Sequence, residues 1–544
     1  MNACKQGKSA VKTAGHWFGD TNCPAFGWVS AAADCSCRSG VLILPPFAYE
    51  YWTTHHSLQT LQERLADDGH LVLRMDYAGT GDAAGDLWDA DCLARWQQQV
   101  KDAVAQLRNW GAQQITLIGL RFGALMALQM AQSLGVQRVV AWFPIISGRR
   151  YVRELRLIAS QQSNDDQDGL KSNTECCYFA GIVLTESLFA NIATLNLEPA
   201  PLDYSVLVID RHDMPTAANY ADKLRVHVQS LEYITVDDAA SVLDVGTEEA
   251  GIAQCSIDAI GQQLGKVAAA DSGRCGIPDL VPAVTWLANG KPLTERHFQL
   301  SDIGLSSIET IPADNHSGIT VVFLNSGSEK HVGPGRAWVE FARALAVRGH
   351  RSVRVDFQGW GESPDNGHRP GRPYDIHGVA DTRKIVDALR EHGHAHIVLV
   401  GVCAGAWIAL RDCQSLPVQG IVAFNPQLYY ELTDPVLPDM KTARVWYEEE
   451  RVKPQWLSRR EPVRQWVQQI NTSPYPVDFW FEQGDQGFRY LQDELPNMLA
   501  ALDERSMLSV HVWRGLDHSM HRHWLRHEAL EAIEHLIARM KASG

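Results

Sequence analysis

Short unbroken apolar runs alternate along this chain with stretches whose apolar residues recur at helical spacing. In the second half VVFL (Val321–Leu324), VLV (Val398–Val400) and IVAF (Ile421–Phe424) are runs of the first kind, each bounded by turn residues. Trp338, Phe341, Ala342 and Leu345 are of the second kind, at positions i, i+3, i+4 and i+7. An unbroken run suits a strand buried on both faces, and the helical stripe suits a helix covering such a sheet. Alternating units of the two kinds predict doubly wound α/β architecture with a mostly parallel sheet.

The pattern also repeats. GVLILPP (Gly40–Pro46), a helix-like stretch Leu58–Asp68 and LVLRMDYAGTGD (Leu71–Asp82) have counterparts in ITVVFLNSG (Ile319–Gly327), Arg336–Arg348 and SVRVDFQGWGE (Ser352–Glu362). Leu44 to Asp76 and Leu324 to Asp356 are both 32 residues; Arg121 to Pro144 and Cys403 to Pro426 are both 23. Equal spacing at several landmarks predicts two copies of one domain in tandem, at 1–264 and 295–544. A small, polar linker is expected at 265–294, and an antiparallel hairpin near Arg296–Ile311 should open the second copy.

Composition narrows the class. The 544 residues require two to four domains at roughly 100–200 residues each. Hydrophobic residues are 45% and charged residues 21%, which excludes a disordered or fibrous chain. The formal charge of −15 is opposite in sign to that of a typical nucleic-acid binder, so no nucleic-acid partner is expected. No apolar stretch reaches the ~18 residues of a membrane-spanning helix. MNACKQGKSAVKTAGHW lacks the apolar core of a signal peptide, so the expected location is the cytoplasm. Eleven scattered cysteines predict reduced thiols and no disulfide framework. Cys35 with Cys37, and Cys176 with Cys177, have no partners at zinc-finger spacing. His523 and His527 stand four residues apart without a third ligand at fixed spacing, so neither metal nor cofactor is expected.

One cysteine stands apart. GVCAG (Gly401–Gly405) follows the apolar strand His396–Val400 and precedes the helical stretch Trp407–Cys413. A strand–turn–helix carrying G-x-nucleophile-x-G projects its central side chain above the sheet, and the glycines let strand and helix approach closely. The helix N-terminus and a nearby imidazole would favour a thiolate at Cys403. The backbone amide of Ala404 would then point at a developing oxyanion.

These features resemble the α/β-hydrolase fold: NSG after the third strand, DFQGWGES after the fourth, GVCAG, and a late DHS. The resemblance covers most of both halves and implies two tandem α/β-hydrolase domains, each with a helical cap insertion. The second half looks like the cysteine-elbow hydrolases associated with exosortase systems. The first half, with LPPFAYE and GLRFGAL, looks like the companion family whose elbow carries Arg. The resemblance implies the order nucleophile, acid, His. It places the acid at Asp485, four residues past VDFWF (Val477–Phe481), with Glu482 and Asp517 as competitors. It places the imidazole at His518, just past LSVHVW (Leu508–Trp513), with His521, His523 and His527 competing. Ser326 or Gly327 would supply the second oxyanion amide. His331 and Arg336 are candidates for holding a substrate anion, against a solvated pair at a helix start. Asp356 is expected to shape its turn.

In the first half Arg121 occupies the elbow, and Asp237 and Asp238 stand where a His belongs. A guanidinium cannot attack a carbonyl, so this copy is expected not to catalyse by this route. Arg121 would hold a carboxylate or phosphate, or pair with an Asp inside the fold. Two insertions, Ser147–Pro201 and Gln427–Pro476, are expected to form caps. The second holds Tyr429, Tyr430, Trp446, Tyr447, Trp456 and Trp466, suited to an acyl pocket or to plain packing. Acylating a thiol from an oxygen ester is uphill, whereas exchange from a thioester is near neutral. The expected activity is therefore acyl transfer or thioester cleavage through an acyl-Cys403 intermediate. The donor would be an acyl thioester of a carrier protein or of coenzyme A. A cysteine-dependent ester or lactone hydrolase and a non-catalytic binding protein are the alternatives.

Overall fold

A computed structural model of the chain describes residues 11–32, 38–163, 176–179, 181–197, 202–247, 249–267, 279–314, 317–327, 329–365, 373–429, 457–503 and 506–543. It divides into two compact units, Met1–Trp286 and Leu287–Gly544.

In the first unit the main strands are β1 (Lys12–Phe18), β2 (Ala25–Ala31), β3 (Ser39–Leu44), β4 (Leu71–Asp76), β5 (Gln114–Leu120) and β6 (Arg138–Trp142). A separate antiparallel hairpin, β7 (Cys176–Phe179) and β8 (Ile182–Thr185), lies in the insertion between the helices Gly148–Ser163 and Glu186–Ala193. β9 (Ser205–Arg211) and β10 (Ser230–Val236) complete the sheet. Among the described residues its order is β1-β2-β4-β3-β5-β6-β9-β10. β2 runs antiparallel to β1 and to β4, and the remaining pairs are parallel.

The second sheet is built from β11 (Ala283–Ala288), β12 (Lys291–Leu300), β13 (Leu305–Pro312), β14 (Ile319–Phe323), β15 (Arg351–Val355), β16 (His396–Val402), β17 (Gly420–Phe424), β18 (Val477–Glu482) and β19 (Leu508–Trp513). Their order is β11-β12-β13-β15-β14-β16-β17-β18-β19. From β12 onward this is the order of the first sheet, strand for strand, with the same antiparallel start. Each unit is thus a mostly parallel, doubly wound α/β-hydrolase-type sheet, the fold class the pattern predicts.

The unbroken runs are buried on both faces because helices cover both. Val322, Leu324, Leu399 and Ala423 join one core, and Val321, Phe323, Val398, Val400, Val422 and Phe424 join the other. Burying one such side chain contributes about 1.5–3 kcal/mol. The helix Ala337–Val347 lays Trp338, Phe341, Ala342 and Leu345 on the second of these cores.

One boundary differs from expectation. β11 and the start of β12 lie inside the segment expected as linker, 265–294. Asn289 and Gly290 both have positive φ (50° and 75°), the pairing a tight two-residue hairpin requires. The Asn-Gly dipeptide is the local signal for it; the shortness of AVTWLA and the polar character of KPLTERHFQL hid the strands.

Candidate active site

β16 ends at Val402 and a helix begins at Ala404, so Cys403 alone makes the turn, with φ 52° and ψ −115°. That conformation is strained for any residue with a Cβ. The surrounding backbone enforces it. A Cβ on Gly401 would lie 2.4 Å from Gly405, and a Cβ on Gly405 would lie 2.4 Å from the carbonyl oxygen of Asn325. The helix start is therefore pressed against the loop after β14, where Ser326 is buried and Gly327 takes a positive φ. Ala404 is buried beside the nucleophile position. These are the segments expected to supply the oxyanion amides.

The side chain of Cys403 is partly exposed, and the hydroxyl of Tyr374 lies 3.1 Å from its sulfur. The ring of His518 places Nδ1 2.6 Å from Oδ2 of Asp485. Asp485 is buried, and its other oxygen is also engaged: Oδ1 accepts from the amide of Gly487 and caps the helix Gln486–Glu494. Its orientation is thereby fixed. Burial opposes charge on the His518 ring. The neighbouring Cys403 side chain and the Asp485 carboxylate outweigh that and hold its pKa well above the ordinary imidazole value. With Nδ1 turned to Asp485, Nε2 is the nitrogen left for the sulfur.

Of the competing acids, Glu482 accepts from the amide of Gly484, and Asp517 accepts from that of Arg522. Of the competing histidines, His521 faces Asp517, His523 faces Glu340, and His527 faces the carbonyl of Trp524.

Two residues at this site escaped sequence reasoning. Tyr374 comes from the loop before the helix Ile376–Glu391 and packs edge-on against Trp407. Asn425, fully buried at the end of β17, has φ 44°. Its Oδ1 accepts from the amide of Glu482 at 2.8 Å, and its Nδ2 donates to the carbonyl of His518 at 2.9 Å. It thus ties the acid loop to the histidine loop. Asn tolerates positive φ, and the matching position of the first half, Phe143, shares the bend with φ 45°. Gln427 adds Nε2 contacts of 3.3 and 3.4 Å to the Asp485 carboxylate.

Other candidates fall elsewhere. His331 was a candidate for binding a substrate anion, but its ring is fully buried and its Nδ1 lies 2.6 Å from Oδ2 of Asp356. It can meet no substrate there. Asp356 also accepts from Asn325, from the amide of Glu362 and from the amide of His331, and so organises the turn after β15. In the first unit Tyr51 makes the matching contact, its hydroxyl 2.8 Å from Asp76. Arg336 is likewise buried and helps hold Glu340 ionised, which removes it from the solvated pair and from anion binding. Tyr429 packs on the core beside Tyr490 and bonds Gln486 at 3.0 Å. Trp466 stacks on the Arg411 guanidinium, which Trp407 also contacts. Tyr430, Trp446, Tyr447 and Trp456 lie outside the described residues, as do Cys35 and Cys37 and the side chains of Cys176 and Cys177.

The first unit has the same elbow with Arg121 in the place of Cys403. Arg121 has φ 54° and ψ −111°, nearly the angles of Cys403. A Cβ on Gly123 would lie 2.1 Å from the carbonyl oxygen of Leu44. The Arg121 guanidinium is bound inside the fold, at 2.5 Å to Glu50 and 2.6 Å to Glu154. Its partners are glutamates rather than the expected Asp. Asp238 caps the helix Gln254–Leu264 through Ser256, and Asp213 pairs with Arg211.

Comparison with known proteins agrees with this architecture. The sequence model of the alpha/beta hydrolase family matches residues 321–542, within the second unit. No curated protein matches the chain. Solved structures similar to it include the ferulic acid-bound Est1E from Butyrivibrio proteoclasticus, at 14% identity over 45% of this chain and 97% of that one, TM-score 0.34. The Pyrococcus furiosus esterase Pf2001 is 14% identical over 47% and 89%, TM-score 0.31. Mouse alpha/beta hydrolase domain-containing protein 10 is 14% identical over 46% and 100%, TM-score 0.30. The fold assignment rests on the strand order and the elbow, not on these likenesses. No helix among the described residues is long and apolar enough to cross a membrane.

Proposed function

We propose that the second unit is a cysteine-dependent acyl-transfer enzyme that takes its acyl group from a thioester. The observation that carries this reading is the imidazole of His518, fixed by Asp485 at 2.6 Å and raised in pKa by the neighbouring Cys403 side chain. In the proposed reaction, Cys403 sulfur, its proton held by His518, attacks the thioester carbonyl. The backbone amides of Ala404 and of Ser326 or Gly327 stabilise the oxyanion. The donor thiol leaves with the proton from His518, giving acyl-Cys403, and an amine, hydroxyl, thiol or water then accepts the acyl group. Asp485 keeps the ring's orientation and stabilises its cation. Thioester-for-thioester exchange is close to isoenergetic, which is why a sulfur nucleophile suits a carrier-protein or coenzyme A donor better than an oxygen ester.

The first unit is proposed to serve no such reaction, because its elbow cation is consumed by Glu50 and Glu154. The test is the intact mass of the full chain after exposure to a set of acyl thioesters. A mass gain equal to the acyl group is expected, abolished by Cys403→Ala and slowed about 10²–10⁴-fold by His518→Gln. A chain that gains no mass from any donor, or gains it equally in Cys403→Ala, defeats the proposal. Rapid turnover of a simple chromogenic ester would favour the hydrolase alternative.

A further inference from the structure

On the sheet face covered by the helix Arg526–Ser543, Asp478 of β18, His511 of β19 and His535 of that helix converge. One ligand atom from each lies within 4.8 Å of the others. The positions follow from the fold. Trp480 pairs with His511 across the two strands and stacks on its ring at 4.1 Å, while Asp478 precedes Trp480 by two and so shares its face. The carboxylate of Asp478 has no exposed surface. Its Oδ1 is bound by Arg539, and its Oδ2 is turned to Nδ1 of His535 at 3.3 Å. That separation is long for a hydrogen bond between such groups. It matches the edge of a tetrahedron with metal–ligand bonds of ~2.0–2.1 Å, about 3.3 Å. Nε2 of His511 is buried without a hydrogen-bond partner.

We infer that Asp478, His511 and His535 form a binding site for zinc or a similar divalent transition ion, tying the last helix to the last two strands. Two imidazoles and a carboxylate favour zinc over magnesium or calcium. Arg539 can keep Oδ1 while Oδ2 takes the metal, so the salt bridge survives. His535 is half exposed, which leaves an entry path and room for water as fourth ligand.

The experiment uses the full chain, stripped with chelator and titrated with zinc chloride by calorimetry, with metal content counted after desalting. Cys403→Ala serves as the background, since its sulfur and His518 could themselves capture zinc. One zinc per chain is expected in both wild type and Cys403→Ala. Thermal midpoint should rise by about 5 °C or more when zinc exceeds its Kd by ~100-fold. His535→Ala should lose more affinity than the ~10–100-fold typical of an outer-shell partner, with its zinc-free unfolding midpoint retained. Because His535 is half exposed, that variant stays informative even where Asp478→Asn fails to fold. Equal zinc binding by His535→Ala, loss of the zinc in Cys403→Ala, or no binding by wild type would each overturn the inference.

Discussion

The side-chain amide of Asn425 joins three chain segments: its own strand end, the loop bearing Asp485 and the loop bearing His518. A site assembled from loops needs such a tie, because loops without one drift by more than hydrogen-bond tolerance. Cys403, Asp485 and His518 were readable because each sits at a fixed place relative to a strand end. Asn425 and Tyr374 were not, because their value lies in partners distant along the chain. His331 misled for the opposite reason: its neighbours in sequence pointed to the oxyanion loop, while its ring turned inward to Asp356. The His518 ring gives a prediction at this scale. Its pKa is raised, against burial, first by Cys403 and then by Asp485. A raised value means that the stability it contributes is present below the ordinary imidazole pKa near 6.5 and is lost as pH climbs through the folded value. Cys403→Ala removes the strongest of the raising influences. The His518 ring resonance, followed by NMR against pH, should then titrate at lower pH than in wild type. An unchanged titration would mean that sulfur and imidazole do not interact.

Helices and strands position these residues through a few buried charges. Glu340, on the helix Ala337–Val347, meets Arg526 at 2.9 Å, and Arg526 also donates to the carbonyls of Pro334, Gly335 and Met520. The last helix is thereby clamped to the helix beside β14, and the loop carrying His518 is held between them. Burial opposes ionisation of Glu340, but Arg526, His523 and Arg336 bring it down to about 2. A lowered carboxyl contributes stability that is present above its unfolded value and lost as pH falls through the folded one. Between about pH 5 and pH 2 the chain should lose roughly 3 kcal/mol from this group alone. Glu340→Gln should show a correspondingly flatter acid limb in denaturant unfolding; an unaltered slope would assign the clamp no weight. The elements themselves were legible wherever apolar runs were unbroken. They were not at the edge strand β11, which only Asn289-Gly290 marks, while β12 was legible only in its second half, within the hairpin expected near Arg296–Ile311.

Across the whole molecule, strand order repeats while the elbow residue does not. The repeat was legible because spacing between landmarks is set by strand and helix lengths, which the fold constrains more tightly than residue identity. The partners of Arg121 were not legible, since Glu50 lies 71 residues and Glu154 lies 33 residues from it. Truncating one partner of such a cluster leaves charge uncompensated in a poorly solvated place. Arg121→Ala should therefore destabilise the first unit by about 3–5 kcal/mol while leaving thioester acylation of Cys403 within about twofold of wild type. Acylation lost in step with the first unit's unfolding would mean that the two copies do not work apart. The shared turn angles at Arg121 and Cys403 have an evolutionary consequence. Gly119 and Gly123 are packed so closely that the chain has no room to relax the bend, even though nothing reactive is displayed there. One codon change can replace the side chain at such an elbow, but unbending the peptide would require rebuilding a sheet, so the posture persists whichever residue it displays.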